Sequence, residues 1–115
     1  MSQDCIFCKI ANKEIPTTIE YEDDLCMIFP DIHPAAKTHL LIIPKKHIPT
    51  IADLTPEDEK LVGHMVGKAR DIAKARNIDG YQLLYRVGKN GGQEVFHIHL
   101  HLMANQDTGP ASMSA

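Results

Sequence analysis

Hydrophobic and polar residues alternate strictly near the C-terminal end of the chain. Residues 97–102 read His-Ile-His-Leu-His-Leu, with an imidazole at every second position and an aliphatic side chain between each pair. A repeat of two residues predicts a β-strand, in which alternate side chains share one face. We therefore expect three imidazoles on one face, about 6.5–7 Å apart along the strand. The opposite face is aliphatic and should belong to a core.

A repeat of three and four residues predicts one long helix from about Pro56 to Arg76, because this spacing gives a helix one apolar face. The stripe comprises Leu61, Val62, Met65, Val66, Ala69, Ile72 and Ala73. Thr55 is a suitable N-cap, and Pro56 suits the first helical position. Gly63 and Gly67 share a helix face. Either this face is exposed to solvent and the glycines reflect neutral drift, or they allow the close approach of another element, such as a second subunit.

The remaining segments predict an α+β domain. A short N-terminal helix is expected over residues 5–12, and strands over 17–22, 26–29, 39–43 and 81–87. With the histidine strand these form a mostly antiparallel sheet of about five strands, covered on one face by the long helix. The glycine-rich turn at 88–92 should join the last two strands in an antiparallel hairpin. We assign residues 1–104 to a single domain and residues 105–115 to a mobile C-terminal tail.

Composition and charge narrow the class of partners. The 115 residues carry a formal net charge of −3 without a basic block, which argues against nucleic acid and anionic membranes as partners. The longest aliphatic run, 40–43, is far too short to span a bilayer, and the N-terminus has no signal-peptide pattern. Three cysteines make an odd count that suits a reducing compartment, so we expect a cytoplasmic protein.

The glycine turn and the histidine strand together suggest chemistry at phosphorus. Glycines at 91 and 92 allow backbone amides to approach a ligand and form an anion-binding nest. A neutral imidazole can displace a leaving group from phosphorus and form a phosphohistidine linkage. A second histidine can bind the phosphoryl oxygens or protonate the leaving group. The alternative without chemistry is a row of hydrogen-bonded polar side chains on an exposed face.

A metal site is the main chemical alternative. Three histidines of a single strand suit one ion poorly, because the outer two are about 13 Å apart by strand rise. His97 remains free to bind a different ion. Cys5 and Cys8 form a Cys-x-x-Cys pair, which is either a zinc half-site or a pair of free thiols. Tetrahedral zinc needs two further ligands, and His47, which follows the third predicted strand, is an available histidine.

The run from His97 to Met103 resembles the histidine triad motif, His-φ-His-φ-His-φ-φ, where φ is hydrophobic. The resemblance continues in order through residues 6–10, 29–32, 38–39, 43–47 and 91–96. The chain thus resembles the histidine triad nucleotide-binding proteins, in the branch of the purine nucleoside phosphoramidases. This implies a hydrolase acting at the α-phosphate of AMP or GMP derivatives, such as adenosine 5′-phosphoramidate or an aminoacyl adenylate. The implied reaction passes through a covalent nucleotidyl-histidine intermediate and releases the nucleoside monophosphate.

The same resemblance implies a role for each matching position. His99 corresponds to the nucleophile, His101 to the histidine that binds the phosphate, and His39 to a further active-site histidine. Asp31 corresponds to the carboxylate that holds the ribose hydroxyls. The other nucleotide contacts correspond to a phosphate loop, Gly92 and Gln93, and to an apolar slot for the base, Ile6, Phe7, Ile10, Ile15, Phe29 and Ile32.

The resemblance also bears on metal and assembly. In zinc-containing members the metal is held by a Cys-x-x-Cys pair, a later histidine and the first histidine of the motif. The matching positions are Cys5, Cys8, His47 and His97, and the zinc is expected to be structural, with no catalytic metal. A homodimer is implied, with the long helix and the strand 81–87 at its interface.

Three departures and several alternatives remain. Arg86 stands where related phosphoramidases commonly carry an Asn that helps to hold the phosphate, which bears on the phosphate chain of the substrate. His33 stands where family members often have Ser, and residues 106–110 replace the usual extended tail, which bears on the leaving group. His33 and His64 match no role and are expected on the surface. The alternatives are a diadenosine polyphosphate hydrolase, a non-catalytic nucleotide-binding scaffold and a zinc-dependent hydrolase.

Overall fold

The computed structural model describes residues 5–108. Two helices and five strands form an α+β fold, as predicted. The helices are α1 (Ile6–Ala11) and α2 (Glu59–Ala75). The strands are β1 (Tyr21–Glu22), β2 (Cys26–Pro30), β3 (Thr38–Pro44), β4 (Gln82–Leu84) and β5 (Leu100–Ala104).

All five strands form one sheet in the order β1-β2-β3-β5-β4, and every neighbouring pair is antiparallel. The register aligns one row of side chains across four strands. Phe29 is opposite Leu41, Leu41 is opposite His101, and His101 is opposite Leu84. Because cross-strand partners share a face, this row runs from the apolar residues of β2 to the histidine of β5.

The two faces of the sheet bury different clusters. Helix α2 covers one face with Met65, Ala69, Ile72 and Ala73, which pack with aliphatic residues of β2, β3 and β5. Helix α1 covers part of the other face. There its apolar residues join a second cluster with Met27, Phe29, Leu41 and Ile43. The histidines at 39, 99 and 101 share this second face with the α1 cluster, beyond the part that α1 covers.

The histidine strand is shorter than its alternation predicted. Regular pairing begins only at Leu100, opposite Ile42, so His97 and His99 precede β5. The partner strands explain this: β4 ends at Leu84, and β3 ends at Pro44, which has no N–H to donate to a ladder. Ile98, Leu100 and Leu102 are buried as predicted, but burial does not alternate, because His97 and His101 are buried as well.

The other boundaries also shift. The predicted helix start at Pro56 is a single 3-10 turn, Pro56–Asp58, and the α-helix begins at Glu59. Thr55 caps that turn through Asp58, whose carboxylate accepts from the Thr55 N–H and hydroxyl at 3.1 and 3.0 Å. Strands β4 and β5 are antiparallel neighbours as predicted, but residues 85–99 connect them, so the connection is no tight hairpin.

Two expectations about surface regions change. His64, expected on the surface, is half-buried and has its Nε2 2.6 Å from Asp23 Oδ2, which also accepts from the Tyr21 hydroxyl at 2.8 Å. The start of the predicted tail is hydrogen-bonded, since the Thr38 hydroxyl donates to the Gln106 carbonyl at 2.6 Å. The rest of the predicted tail, 109–115, lies outside the described residues. Among residues 5–108, no helix has both the length and the apolar content needed to cross a bilayer.

Candidate active site and metal-ligand cluster

A cavity of about 480 Å³ opens on the sheet face that carries the histidines. Its size is that of an ordinary small-molecule pocket. It brings together almost all of the predicted nucleotide-site residues, which are spread over more than ninety positions of the chain: Ile6, Phe7, Ile10, Phe29, Asp31, Ile32, His39, Gly92, His99 and His101. Gln93 and Ile15 do not line it.

One end of the cavity is apolar. Phe7 and Phe29 meet edge to face with ring centroids 5.8 Å apart, and Ile10 is buried beside them. Ile32 forms an open rim, since it is 81% exposed. A flat aromatic ligand can be buried between such side chains. Phe7 also contacts His99, at 5.0 Å between ring centroids, so the apolar end adjoins the imidazoles directly.

His99 has a fixed tautomer. Its Nδ1 lies 2.8 Å from the backbone carbonyl of His97 and can only donate there. The Nε2 atom of the neutral ring therefore carries the lone pair. Burial lowers the pKa of His99 below its ordinary value, so the ring is neutral at pH 7. A neutral imidazole with an unshared lone pair beside a cavity is a competent nucleophile.

His101 lies in a chain of polar contacts. Its Nδ1 is 2.9 Å from His39 Nε2, and its Nε2 is 3.2 Å from an Arg86 guanidinium nitrogen. At the far end, the Ala35 N–H donates to His39 Nδ1 at 3.0 Å. Asp31 Oδ2 lies 3.5 Å from His39 Nε2. The cavity thus joins the two predicted histidines to a permanent cation and a carboxylate.

Burial sets the charge of these two rings. Burial, together with the neighbouring His99 and Arg86, lowers the pKa of His101 to about 4. Burial also lowers the pKa of His39, against the opposing charge of Asp31. Both rings are therefore neutral at pH 7, and Arg86 supplies the fixed positive charge of this end of the cavity.

The glycine loop differs from the expected anion nest. Its turn, Lys89–Gly91, is flanked by Gly88 and Gly92 with φ of 73° and 86°, a region that favours glycine. The amides of residues 91, 92 and 93 donate to carbonyls of the same loop at 3.0–3.1 Å. They are thus already used within the turn. A Cβ on Gly92 would lie 3.3 Å from the Arg86 side chain, so this glycine provides the space in which Arg86 packs.

The side chains of Gln93 and Asp31 hydrogen-bond to backbone groups and so stabilise the loops around the cavity. The Gln93 side chain is buried, accepts from the Gly88 N–H at 2.8 Å and donates to the Pro49 carbonyl at 2.7 Å. Its groups are thus directed to the backbone, which closes the loop. Asp31 Oδ1 accepts from the His33 N–H at 2.8 Å, so this carboxylate forms a turn while Oδ2 faces His39.

A second cluster joins the four predicted metal ligands, Cys5, Cys8, His47 and His97. Their ligand atoms all lie within 4.8 Å of one another. His97 Nδ1 is 3.2 Å from Cys5 Sγ, 3.5 Å from Cys8 Sγ and 3.2 Å from His47 Nδ1. Cys8 Sγ is also 3.2 Å from His47 Nδ1. A zinc tetrahedron with ordinary Zn–N and Zn–S lengths has edges of about 3.3–3.8 Å, so the four donors nearly match its corners.

The surroundings of this cluster also suit a cation. His97 Nε2 donates to the Pro44 carbonyl at 2.8 Å, which leaves its Nδ1 lone pair directed at the two sulfurs. Burial lowers the pKa of His97 to about 4, so the ring stays neutral. The Cys8 N–H donates to Cys5 Sγ at 3.2 Å. A ligand histidine bonded to a carbonyl is the usual outer arrangement of a zinc site, and the residues present fit the ion.

Some cavity residues had only weak sequence signals. Leu41 follows His39 by two positions on a strand and could have been found from that alternation. Thr17, Glu94 and Val95 also line the cavity. Glu94 and Val95 lie in the run 91–96 that resembles the family but were given no role, and no pattern in the sequence marked Thr17. Arg86 was noted only as a departure, and its contact with His101 depends on the fold.

Comparisons with known proteins identify the family. A family model described as "Scavenger mRNA decapping enzyme C-term binding" matches residues 4–115. Protein HitA of Neisseria gonorrhoeae is 53% identical over 100 residues, covering 86% of this chain and 94% of that protein. The purine nucleoside phosphoramidase of Escherichia coli K12 is 46% identical over 112 residues, covering 96% of this chain and 94% of its own length.

Solved structures agree with the sequence comparisons. A HIT family hydrolase from Legionella pneumophila superposes with a TM-score of 0.87 at 48% identity, covering 90% of this chain and 95% of the other. A zinc-bound histidine triad family protein from Mycobacterium smegmatis has a TM-score of 0.81 at 34% identity, and the match covers 92% of this chain and 78% of the other. The fold and the site define a hydrolase. The chain belongs to the histidine triad (HIT) family.

Proposed function

We propose that this protein hydrolyses purine nucleoside 5′-phosphoramidates and related AMP or GMP derivatives at the α-phosphorus. The observation that carries the proposal is the fixed tautomer of His99, which leaves the Nε2 lone pair beside the cavity and next to His101. The name and the 46% identity of the E. coli phosphoramidase support the substrate class.

The cavity suggests how such a nucleotide binds. The purine lies in the apolar end between Phe7, Phe29 and the neighbouring isoleucines, with Ile32 at the rim. Asp31 accepts from the ribose hydroxyls, and the α-phosphate lies against His99 and His101. This order follows the sheet, because Phe29 is on β2 while His101 is on β5.

The reaction follows from the neutral imidazoles. His99 Nε2 donates its electron pair to the α-phosphorus, and the P–N bond to the leaving amine breaks as the Nε2–P bond forms. The amine takes up a proton from solvent water and departs. A water molecule then attacks the same phosphorus and loses a proton to solvent, the Nε2–P bond breaks, and the nucleoside monophosphate leaves with the imidazole restored. His101 hydrogen-bonds to a phosphoryl oxygen, His39 orients His101 through their mutual contact, and no catalytic metal takes part.

We further propose that Cys5, Cys8, His47 and His97 hold a structural zinc ion. Bound zinc would supply a cross-link between α1, the segment after β3 and the segment before β5. The zinc-bound relative from M. smegmatis supports this assignment. Within residues 5–108 the cysteines at 5, 8 and 26 form no disulfide, which agrees with a proposed location in the reducing cytoplasm.

Trapping the intermediate tests the proposal. The protein is mixed with a nucleoside phosphoramidate, quenched during turnover and analysed by peptide mass spectrometry. We expect a nucleotidyl group on the peptide that carries His99, located at that side chain by fragmentation. Turnover without this adduct at any quench time, or an adduct on another residue, would contradict the assigned nucleophile.

A homodimer through α2 and β4 completes the proposal. Strand β4 is an edge of the sheet, and Tyr81, Leu83 and Val87 are each more than one third exposed beside it. A Cβ at Gly63 on α2 would meet no atom within 4 Å, which leaves room for a second chain. We expect a dimer mass by sedimentation, and a shift toward monomer in Leu83→Asp. Leu25→Asp changes another exposed leucine, at the opposite end of the sheet, and should stay dimeric. A monomeric parent protein would exclude this assembly.

A further inference from the structure

We propose that Arg86 selects substrates whose leaving group carries a negative charge. This inference rests on the proposed hydrolysis at the α-phosphate and adds the charge of the leaving group to it. Phosphoramidates of amines that bear a carboxylate or another anionic oxygen belong to this class. Three observations support the inference: the electrostatic isolation of Arg86, its position across the sheet and its hydrogen bonding.

Arg86 is an uncompensated cation at the cavity. Among the lining residues within 5–108 it is the one side chain with a permanent positive charge. Its guanidinium has no carboxylate oxygen within 4.0 Å in the described part of the chain. The two carboxylates of the cavity are Asp31, which faces His39, and Glu94, which is exposed. A guanidinium without a neighbouring carboxylate attracts an anionic ligand group more strongly than a guanidinium that already forms an ion pair.

The position of Arg86 favours the leaving group. The cross-strand row places Phe29 of the apolar slot on β2, His101 on β5 and Leu84 on β4. Arg86 follows Leu84 by two positions and contacts His101 from the β4 side. A nucleotide with its base over β2 and its α-phosphate at β5 therefore has β4 and Arg86 on the side away from the base, where the leaving group extends.

The hydrogen-bonded series from Ala35 through His39 and His101 to Arg86 has one more donor than acceptors. Arg86 can only donate to His101 Nε2, and the Ala35 N–H can only donate to His39 Nδ1. Two neutral rings then direct both remaining protons at the same 2.9 Å contact between them. The nearest carboxylate oxygen, Asp31 Oδ2 at 3.5 Å from His39, is too distant for a full hydrogen bond.

An anionic oxygen beside Arg86 resolves this conflict. If Arg86 donates to that oxygen, His101 Nε2 is free to carry a proton and to donate to a phosphoryl oxygen. His39 Nε2 then donates to His101 Nδ1, and His39 Nδ1 accepts from Ala35. Every donor in the chain has an acceptor, which is the arrangement that buried polar networks favour. The glycine-loop amides offer no substitute, since they donate within their own turn.

A matched pair of substrates tests the inference. Adenosine 5′-phosphoramidates of β-alanine and of β-alaninamide share the same P–N bond and differ in one negative charge. We expect the ratio of kcat/KM for the carboxylate over the amide to fall roughly tenfold in Arg86→Gln. Arg86→Lys, which keeps the charge, should retain most of the ratio. In the parent protein the ratio should decline as ionic strength rises.

Binding of product-like nucleotides gives a second readout if Arg86→Gln is too slow to assay. The affinity for ADP relative to AMP should likewise fall roughly tenfold in that variant. If Arg86→Gln lowers the rates of both substrates equally, Arg86 contacts only the α-phosphate and the inference is wrong, while the proposed hydrolase stands. If the parent protein hydrolyses neither substrate, the proposed function itself is wrong.

Discussion

His99→Ala will lower kcat for adenosine 5′-phosphoramidate by more than about 100-fold, the low end for the loss of a positioned catalytic group. The substitution removes the Nε2 lone pair that the His97 carbonyl fixes through Nδ1. The adjacent imidazoles offer no equivalent atom, because His39 and His101 have both ring nitrogens engaged within residues 5–108. His33 also lines the cavity, but it is exposed. Steady-state kinetics with release of AMP measures the effect.

Comparing the loss of kcat with the change in AMP affinity distinguishes a catalytic defect of His99→Ala from a folding defect. AMP affinity should change by less than about fivefold, since the apolar slot remains and the lost interaction acts on the transition state. The control is His64→Ala, which removes an imidazole beside Asp23, outside the cavity lining, and should keep nearly full turnover. A His99→Ala or His99→Gly enzyme that works within tenfold of the parent would remove His99 from the role of nucleophile.

Cys8→Ser will release the proposed zinc and destabilise the fold. We expect about one zinc per chain in the parent protein by elemental analysis and almost none in the variant. The ion would join α1 to His47 and His97, which are distant from α1 in sequence. Its binding free energy therefore also contributes to the free energy of folding. Loss of about 3 kcal/mol lowers Tm by ~10 °C or more in a domain of this size.

Cys26→Ala is the matched control for metal content. Cys26 is as buried as Cys8 but belongs to the other face of the sheet, near Asp23 and His64. Its substitution should cost stability through lost packing while leaving zinc bound. If Cys26→Ala loses the zinc and Cys8→Ser retains it, the ion lies in the cluster of Asp23, Cys26 and His64. Chelation of the parent protein should reproduce the Tm of Cys8→Ser.

Much of the candidate site could be anticipated because its residues have strong local patterns. The alternation at 97–102 predicted which side chains enter the core, and Ile98 and Leu100 are buried accordingly. The resemblance to the histidine triad motif selected residues that the fold then brings to one cavity. The sequence alone predicts which side chains share a face, because side chains alternate between the two faces of a strand whichever strand it pairs with.

Other features depended on partners that the sequence does not specify. The extent of β5 was overestimated because ladder pairing ends where β3 reaches Pro44 and β4 reaches Leu84. The amides of the glycine loop were expected to be free for an anion, but they donate within the turn. His64 was expected on the surface, and only the packing of α2 near β1 brings it to Asp23.

The sequence by itself therefore determined the class of fold, the core faces of its strands and the residue types available for chemistry, because hydrophobic periodicity and short motifs are local properties. Only the tertiary structure decided which of these groups meet. Cys5 and His97 are 92 positions apart and lie 3.2 Å from each other, and Arg86 reaches His101 from a neighbouring strand. Such contacts arise from sheet register and helix packing, which depend on the whole chain at once.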